Sequence, residues 1–177
     1  MTNKTLGMLF MAMAAIAMLA TGWVGQAEAG RLKAKVYITQ RKIPRKLTEK
    51  GLIRFARSNN AKRMRETNDK ELKKRKWKGN LVVAFNAPVG DTEFSVLFYD
   101  IHEGAPRMVE DMSTFVNDRK QRTFVQKFSL PRPRFKPNRN MELVVTVKRQ
   151  EVGRVKFGVV GQAVRRSGVV SFGDNER

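Results

Sequence analysis

A run of cations in the first half of the chain is the feature whose residue types and spacing point most clearly to chemistry. Residues 62–78 contain nine Lys or Arg side chains and one indole. Clustered cations attract polyanions because binding releases condensed counterions, and an adjacent indole can stack on a base or lie at a lipid headgroup boundary. We therefore predict that a polyanion binds to the following residues: Lys62, Arg63, Arg65, Lys70, Lys73, Lys74, Arg75, Lys76, Trp77 and Lys78.

A second interpretation of the same segment needs no ligand. Several acids precede a base by four positions, as Glu66 precedes Lys70 and Asp69 precedes Lys73. That spacing forms favourable ion pairs on the surface of a helix. It predicts a solvated helix over residues 61–77, with Trp77 as a core anchor at the start of the next strand. The sequence leaves both interpretations open.

The candidates for catalysis or metal binding are few. The one histidine, His102, follows Asp100 at the end of a predicted strand, so the two side chains point the same way. Two donors are too few for a metal site, and we interpret His102 as an exposed residue at a strand-to-loop junction. The chain has no cysteine, which excludes thiol catalysis and thiolate zinc sites. We predict a non-enzyme without a cofactor. The catalytic alternative is a hydrolase in which a distant acid such as Glu93 or Glu142 approaches Glu110 or Asp111.

The net charge points to an anionic partner. The chain has 36 basic and 16 acidic side chains, a net charge of +20. Residues 31–78 alone contain 19 bases and four acids. Such a charge repels itself and is costly to keep without a counter-charge nearby. The partners that fit are lipopolysaccharide, an anionic lipid or membrane surface, an acidic glycan, extracellular DNA or an acidic envelope protein.

The first 29 residues predict export. Lys4 precedes an uncharged apolar run over residues 8–20, and Ala27 and Ala29 occupy the −3 and −1 positions of a cleavage site. These are the parts of a secretory signal peptide. The alternative is an uncleaved N-terminal membrane anchor, although the apolar stretch lies at the lower edge of the length that spans about 30 Å of hydrocarbon. We expect a periplasmic or secreted protein of a bacterial envelope.

The elements that would position the basic segment begin with one strand and one helix. Residues 32–39 alternate as a strand does, and Pro44 ends that pattern. Thr48 is placed to cap a short helix whose apolar stripe includes Ile53 and Phe55. Together with the helix predicted from the charge spacing, this gives a basic helical insertion over residues 45–78.

From residue 80 onward the apolar residues recur at every second position, which is typical of strands. Residues 93–101 are apolar on both faces, which predicts a central strand. Two hairpins are expected in the remaining strands, whereas the prolines between residues 131 and 140 exclude a central strand there. The predicted hairpins pair 109–116 with 123–130 across a turn at 117–120, and 141–147 with 154–160 across a turn at 150–153.

About seven strands with these spacings predict an all-β fold, an antiparallel β-sandwich of immunoglobulin or C2-like type. The short basic helical insertion lies between its first two strands. The predicted organisation is a signal peptide over 1–29, a single domain over 30–161 and a C-terminal tail over 162–177. We expect an exported, non-catalytic binding module for an anionic envelope or extracellular component. The alternative is a structural or accessory subunit of an envelope assembly that contacts protein partners.

Overall fold

Strands with alternating buried and exposed residues dominate the computed structural model, which describes residues 31–90, 92–116, 118 and 120–163. The predicted all-β sandwich is confirmed: within these residues, two sheets enclose one apolar core, and one α-helix lies outside them. The elements are β1 Ala34–Thr39, α1 Glu49–Ser58, β2 Arg63–Arg65, β3 Lys76–Phe85, β4 Glu93–Asp100, β5 Arg107–Phe115, β6 Thr123–Pro131, β7 Arg139–Val147 and β8 Gln150–Val160.

The two sheets differ in size and in strand direction. The smaller sheet has the order β1-β3-β6 and is antiparallel throughout. The larger sheet has the order β2-β8-β7-β4-β5, and only its short edge strand β2 runs parallel to its neighbour. Aromatic rings join the two sheets, since Phe98 of β4 lies 5.6 Å from Phe128 of β6, centroid to centroid. Burial of these apolar inner faces is the main stabilising contribution to the sandwich.

The predicted hairpin between residues 109–116 and 123–130 is wrong. Strand β6 pairs with β3 in the smaller sheet, and β5 pairs with β4 in the larger one. The alternation of apolar and polar residues along β6 is compatible with pairing to β3 or to β5, so long-range packing decides between the two strands. The two strands still meet at the edge of the sandwich, where the Thr114 hydroxyl donates to Oε1 of Gln126 at 2.9 Å.

The hairpin of β7 and β8 is confirmed, but its turn lies earlier than predicted. Lys148 and Arg149 form the turn with φ angles of 50° and 65°, as a two-residue hairpin turn requires. Gly153 lies inside β8 instead of in a turn. A Cβ atom at this position would clash with the carbonyl oxygen of Ala34 and would lie 3.0 Å from Cγ2 of Val36. The glycine is therefore needed where β8 passes close to β1.

Only part of the predicted helical insertion is helical. Helix α1 begins as expected, with the Thr48 hydroxyl accepting a hydrogen bond from the Gly51 amide at 3.2 Å. The predicted helix over residues 61–77 is wrong: this segment forms β2, one 3₁₀ turn over Leu72–Lys74 and the start of β3. Met64 and Trp77 are both fully buried in the sandwich core. Their burial outweighs helix surface pairs worth about 0.2–0.5 kcal/mol each.

Other features of the strands follow the sequence prediction. Strand β4 is central in the sense that it pairs with β5 and β7, although Leu97 and Tyr99 on its outer face are only half-buried.

Among the described residues, no helix has the length and apolar character that crossing a membrane requires. The predicted signal peptide and the tail beyond residue 163 lie outside the described residues.

We expect Gly153→Ala to lower the free energy of unfolding by about 1–3 kcal/mol, because the added methyl group meets backbone that cannot move aside cheaply. Gly158→Ala in the same strand is the matched control, since its nearest neighbour would be Cγ of Arg63 at 3.6 Å. Urea unfolding of the two variants measures the difference. Equal stability of the two variants would show that the approach of β1 to β8 is not tight.

Candidate anion-binding surface

The structure does not bring the ten predicted polyanion-binding residues onto one surface. Trp77 is fully buried, and its indole Nε1–H donates to the carbonyl oxygen of Val160 at 2.9 Å. It cannot stack on a base or lie at a lipid headgroup boundary, so the prediction that Trp77 contacts a ligand is wrong. The core-anchor interpretation of Trp77 is confirmed.

Arg75 is half-buried and belongs to a group that we name the buried ion cluster: Glu66, Arg75 and Arg132. The Glu66 carboxylate accepts from Arg75 Nη1 at 3.1 Å, from Arg132 Nη2 and from the backbone N–H of Gln162 at 2.8 Å. The Arg132 side chain is only 4% exposed, and its guanidinium lies over the Trp77 ring, 5.4 Å from the centroid. The cluster joins the segment after β2, the start of β3, the loop after β6 and the residue pair after β8.

The cluster keeps its carboxylate ionised. Burial raises the pKa of Glu66, but hydrogen bonds from the Gln162 amide and from Arg75 and Arg132 outweigh that effect. The pKa of Glu66 is therefore held below its ordinary value. Because Arg75 donates to this carboxylate, we interpret it as a structural residue and not as a ligand contact.

The remaining predicted cations are spread over three places on the surface. Lys62 and Arg63 lie beside β8, where the Lys62 carbonyl accepts from the Gly158 amide at 2.9 Å. Around the 3₁₀ turn, Lys74 forms an exposed ion pair with Glu71 at 2.9 Å. The exposed Lys70 and Lys73 lie in the same stretch. The third region is where β2 meets β3, and it contains Arg65, Lys76 and Lys78, of which only Lys76 is half-buried.

The region where β2 meets β3 borders a cavity on the outer face of the smaller sheet, which we name the basic groove. Its volume is about 350 Å³. In the register of β3 and β6, Lys78 lies opposite Ser129 and Asn80 lies opposite Lys127. The residues that line the basic groove are Gln40, Lys78, Gly79, Asn80, Lys127, Phe128 and Ser129.

Gln40 fixes one wall of the basic groove. Its Nε2 donates to the carbonyl oxygens of Arg65 at 2.8 Å and Lys78 at 3.1 Å, while its Oε1 accepts from the Arg65 amide at 2.8 Å. One side chain thus bonds the backbones of β2 and β3 to each other. Arg65 and Lys78, thirteen residues apart in sequence, are brought together in this way.

The charges in the basic groove are not neutralised within the described part of the chain. No acidic residue lines the groove, and the ion pairs among the described residues involve other cations, such as Arg134 with Glu110 and Arg139 with Glu103. Lys78 and Lys127 are both exposed. They are point charges on flexible stems, suited to anionic groups whose position varies.

Sequence reasoning identified Lys78 but missed Lys127, Gln40, Asn80 and Ser129. The alternation of β6 does place Lys127 on an outer face. Its proximity to Lys78 depends on the pairing of β6 with β3, which the sequence assigned to β5. No local signal in the sequence therefore indicated the basic groove.

The residues considered as candidates for catalysis take part in backbone hydrogen bonds or ion pairs. Asp100 Oδ1 accepts from the backbone N–H of His102 at 3.0 Å, and His102 is exposed at the end of β4, as predicted. Glu110 forms an ion pair with Arg134, and the buried Glu142 lies 3.6 Å from Nη1 of Arg154. Across the described ranges, no three residues of the types that bind metals form a group able to hold an ion.

Proteins similar to this chain are found among solved structures. No family model matches the chain, and no curated protein matches it. Among solved structures, the chain is similar to an immunoglobulin-like protein from Pseudomonas aeruginosa, with 11% sequence identity and a TM-score of 0.38. The match covers 72% of this chain and 95% of that one.

We expect Glu66→Gln to destabilise the fold by about 3 kcal/mol, because it leaves the guanidinium groups of Arg75 and Arg132 without their counter-charge. The depressed pKa of Glu66 contributes stability above its ordinary value of 4.5, and that contribution is lost as pH falls through the folded pKa. Unfolding by urea from pH 7 down to pH 3 measures both effects. The variant will lack the part of the acid dependence that Glu66 supplies.

Glu71→Gln is the control, since its ion pair with Lys74 is exposed and worth little. If the two variants lost equal stability, or if Glu66→Gln kept the full acid dependence, the cluster would not be a structural element.

Proposed function

We propose that this β-sandwich protein is an exported, non-catalytic binding module whose basic groove binds an anionic component of the bacterial envelope or its surroundings. The observation that supports this most is the pair of exposed cations, Lys78 and Lys127, held on neighbouring strands without an acidic partner in the described part of the chain. Neutral hydrogen-bonding side chains, Gln40, Asn80 and Ser129, share the same cavity.

The chemistry of the groove favours a phosphate- or carboxylate-bearing glycan. Ammonium groups attract the charge, and the amide and hydroxyl groups provide hydrogen bonds to sugar oxygens. A volume near 350 Å³ is within the size range of small-ligand sites, enough for one or two sugar units of a longer polymer. Because the charges are exposed, binding will weaken as salt rises.

Nucleic acid fits the groove less well. Binding to single strands without sequence preference relies on aromatic rings that stack on the bases. Trp77 is fully buried, and Phe128, the one ring that lines the groove, is only 5% exposed. Lipopolysaccharide, with phosphates on a glycan, therefore suits the site better than extracellular DNA. The predicted signal peptide would deliver the protein to the compartment that contains it.

We expect the double variant Lys78→Gln/Lys127→Gln to bind lipopolysaccharide about tenfold more weakly at physiological salt, because each lost contact is worth about 0.7 kcal/mol. Its binding will also depend less on salt concentration. Isothermal titration of the purified variant and the wild type over a salt series measures both quantities.

The control double variant, Lys148→Gln/Lys156→Gln, loses the same charge from exposed positions of β8 and its turn. It should bind as the wild type does. Equal weakening of both variants would mean that net charge, and not the basic groove, determines binding. A variant at Arg75 is avoided because it would disrupt the buried ion cluster.

A second candidate function, an accessory subunit that contacts protein partners, is favoured by strand β5. It is an edge strand that pairs only with β4, and its Met108 and Phe115 are 56% and 54% exposed. Apolar side chains on an unpaired edge are suited to adding a partner strand. A stoichiometric, salt-resistant partner that is lost on Met108→Asp/Phe115→Asp would support this function. A protein that stays monomeric in envelope extracts would count against it.

A further inference from the structure

A second cavity lies on the same outer face of the smaller sheet, between helix α1 and the strands beneath it. Its volume is about 520 Å³, and apolar atoms make up most of its lining. Ile53 of the helix and Ala84 of β3 contribute to that lining. A cavity of this size and character is typical of a site for a small apolar ligand.

The helix is held at its ends and covers the sheet incompletely between them. At its start, the Thr123 hydroxyl donates to Oε1 of Glu49 at 2.6 Å. After its last turn, Asn60 Oδ1 accepts from the amide of Ile38 at 3.0 Å. Between these two anchors only Ala56 is fully buried, whereas the apolar residues of the stripe, Leu52, Ile53 and Phe55, remain half-buried. The helix thus leaves apolar surface accessible from the cavity.

Cations surround the cavity. Lys33 and Lys35 come from the strand side and Arg57 from the last turn of the helix. None of the three forms an ion pair with an acid in the described part of the chain, and no acid lines the cavity. A mostly apolar lining that includes three cations matches a ligand with an alkyl chain and an anionic head.

We propose that the α1 cavity binds a single-chain anionic amphiphile, an alkyl carboxylate such as a fatty acid, with its chain against Ile53 and Ala84 and its head near Lys33, Lys35 and Arg57. A free amphiphile fits better than a bilayer because the cavity lies between a helix and a sheet and not on a flat surface. Burying the chain supplies affinity, at about 0.8 kcal/mol for each buried methylene, and the cations supply selectivity for the anionic head.

This site is distinct from the basic groove. Along β3, Asn80 of the groove and Ala84 of the α1 cavity are four residues apart, which corresponds to about 13 Å in a strand. The two cavities share no lining residue. Loss of one activity therefore leaves the other measurable.

The test is calorimetric titration of the purified protein with laurate below its micelle-forming concentration. Acetate, which lacks the chain, and dodecyl maltoside, which lacks the charge, are titrated in parallel. We expect one laurate per chain, at least tenfold weaker binding of dodecyl maltoside and no binding of acetate. The triple variant Lys33→Gln/Lys35→Gln/Arg57→Gln should bind laurate at least tenfold more weakly.

The matched control triple, Lys46→Gln/Lys50→Gln/Arg54→Gln, removes the same charge from residues before and within α1 that do not line the cavity. It should keep wild-type affinity for laurate. A separate variant, Ala84→Leu, fills the cavity without changing charge and should also reduce binding. Its fold is checked by circular dichroism and by urea unfolding, neither of which depends on ligand binding in the basic groove.

Three results would overturn the proposal. They are no binding of laurate, equal binding of acetate, or equal losses in the two triple variants. If the first result came with binding to anionic phospholipid vesicles, the cations would serve a membrane surface and not an amphiphile site.

Discussion

The ionised carboxylate of Glu66 is the constraint on which the arrangement of this protein depends most. It receives charge-assisted hydrogen bonds from Arg75 and Arg132 in a site where both it and Arg132 are almost fully removed from water. Desolvation of these groups is costly, so the site is stable only if every member is present and well placed. Three chain segments supply its members and a fourth supplies the Gln162 amide, so the buried ion cluster connects the two sheets.

The buried ion cluster determines which cations of the basic segment remain accessible to a ligand. It uses Arg75 as a counter-charge, and it places Arg132 over the buried Trp77 ring, whose N–H is satisfied by Val160. Lys78 follows Trp77 in the same strand, β3, and lies on the opposite, outer face because successive side chains of a strand alternate. The basic segment is thus divided between an interior that holds the sheets together and a surface available to an anion. Both candidate ligand sites lie on the outer face of the smaller sheet.

The fold class and several elements could be predicted because they depend on local patterns. The alternation of β4, β7 and β8 and the cap at Thr48 are examples, as each is decided within a few residues. The predictions failed where distant contacts decide. The charge spacing of residues 61–77 favours a helix locally, but burial of Met64 and Trp77 requires an extended chain. Lys127 was missed for a related reason, since its place in the basic groove depends on pairing with a strand about 45 residues earlier.

We propose above all that an anion binds in the basic groove, on the outer face of the smaller sheet. The most direct test is NMR of the isotopically labelled protein, titrated with the phosphorylated core oligosaccharide of lipopolysaccharide from which the lipid has been removed. We expect the largest amide shifts at Lys78, Asn80, Lys127 and Ser129. Shifts that instead concentrate at residues 62–63 and 70–74, with the groove unchanged, would contradict it.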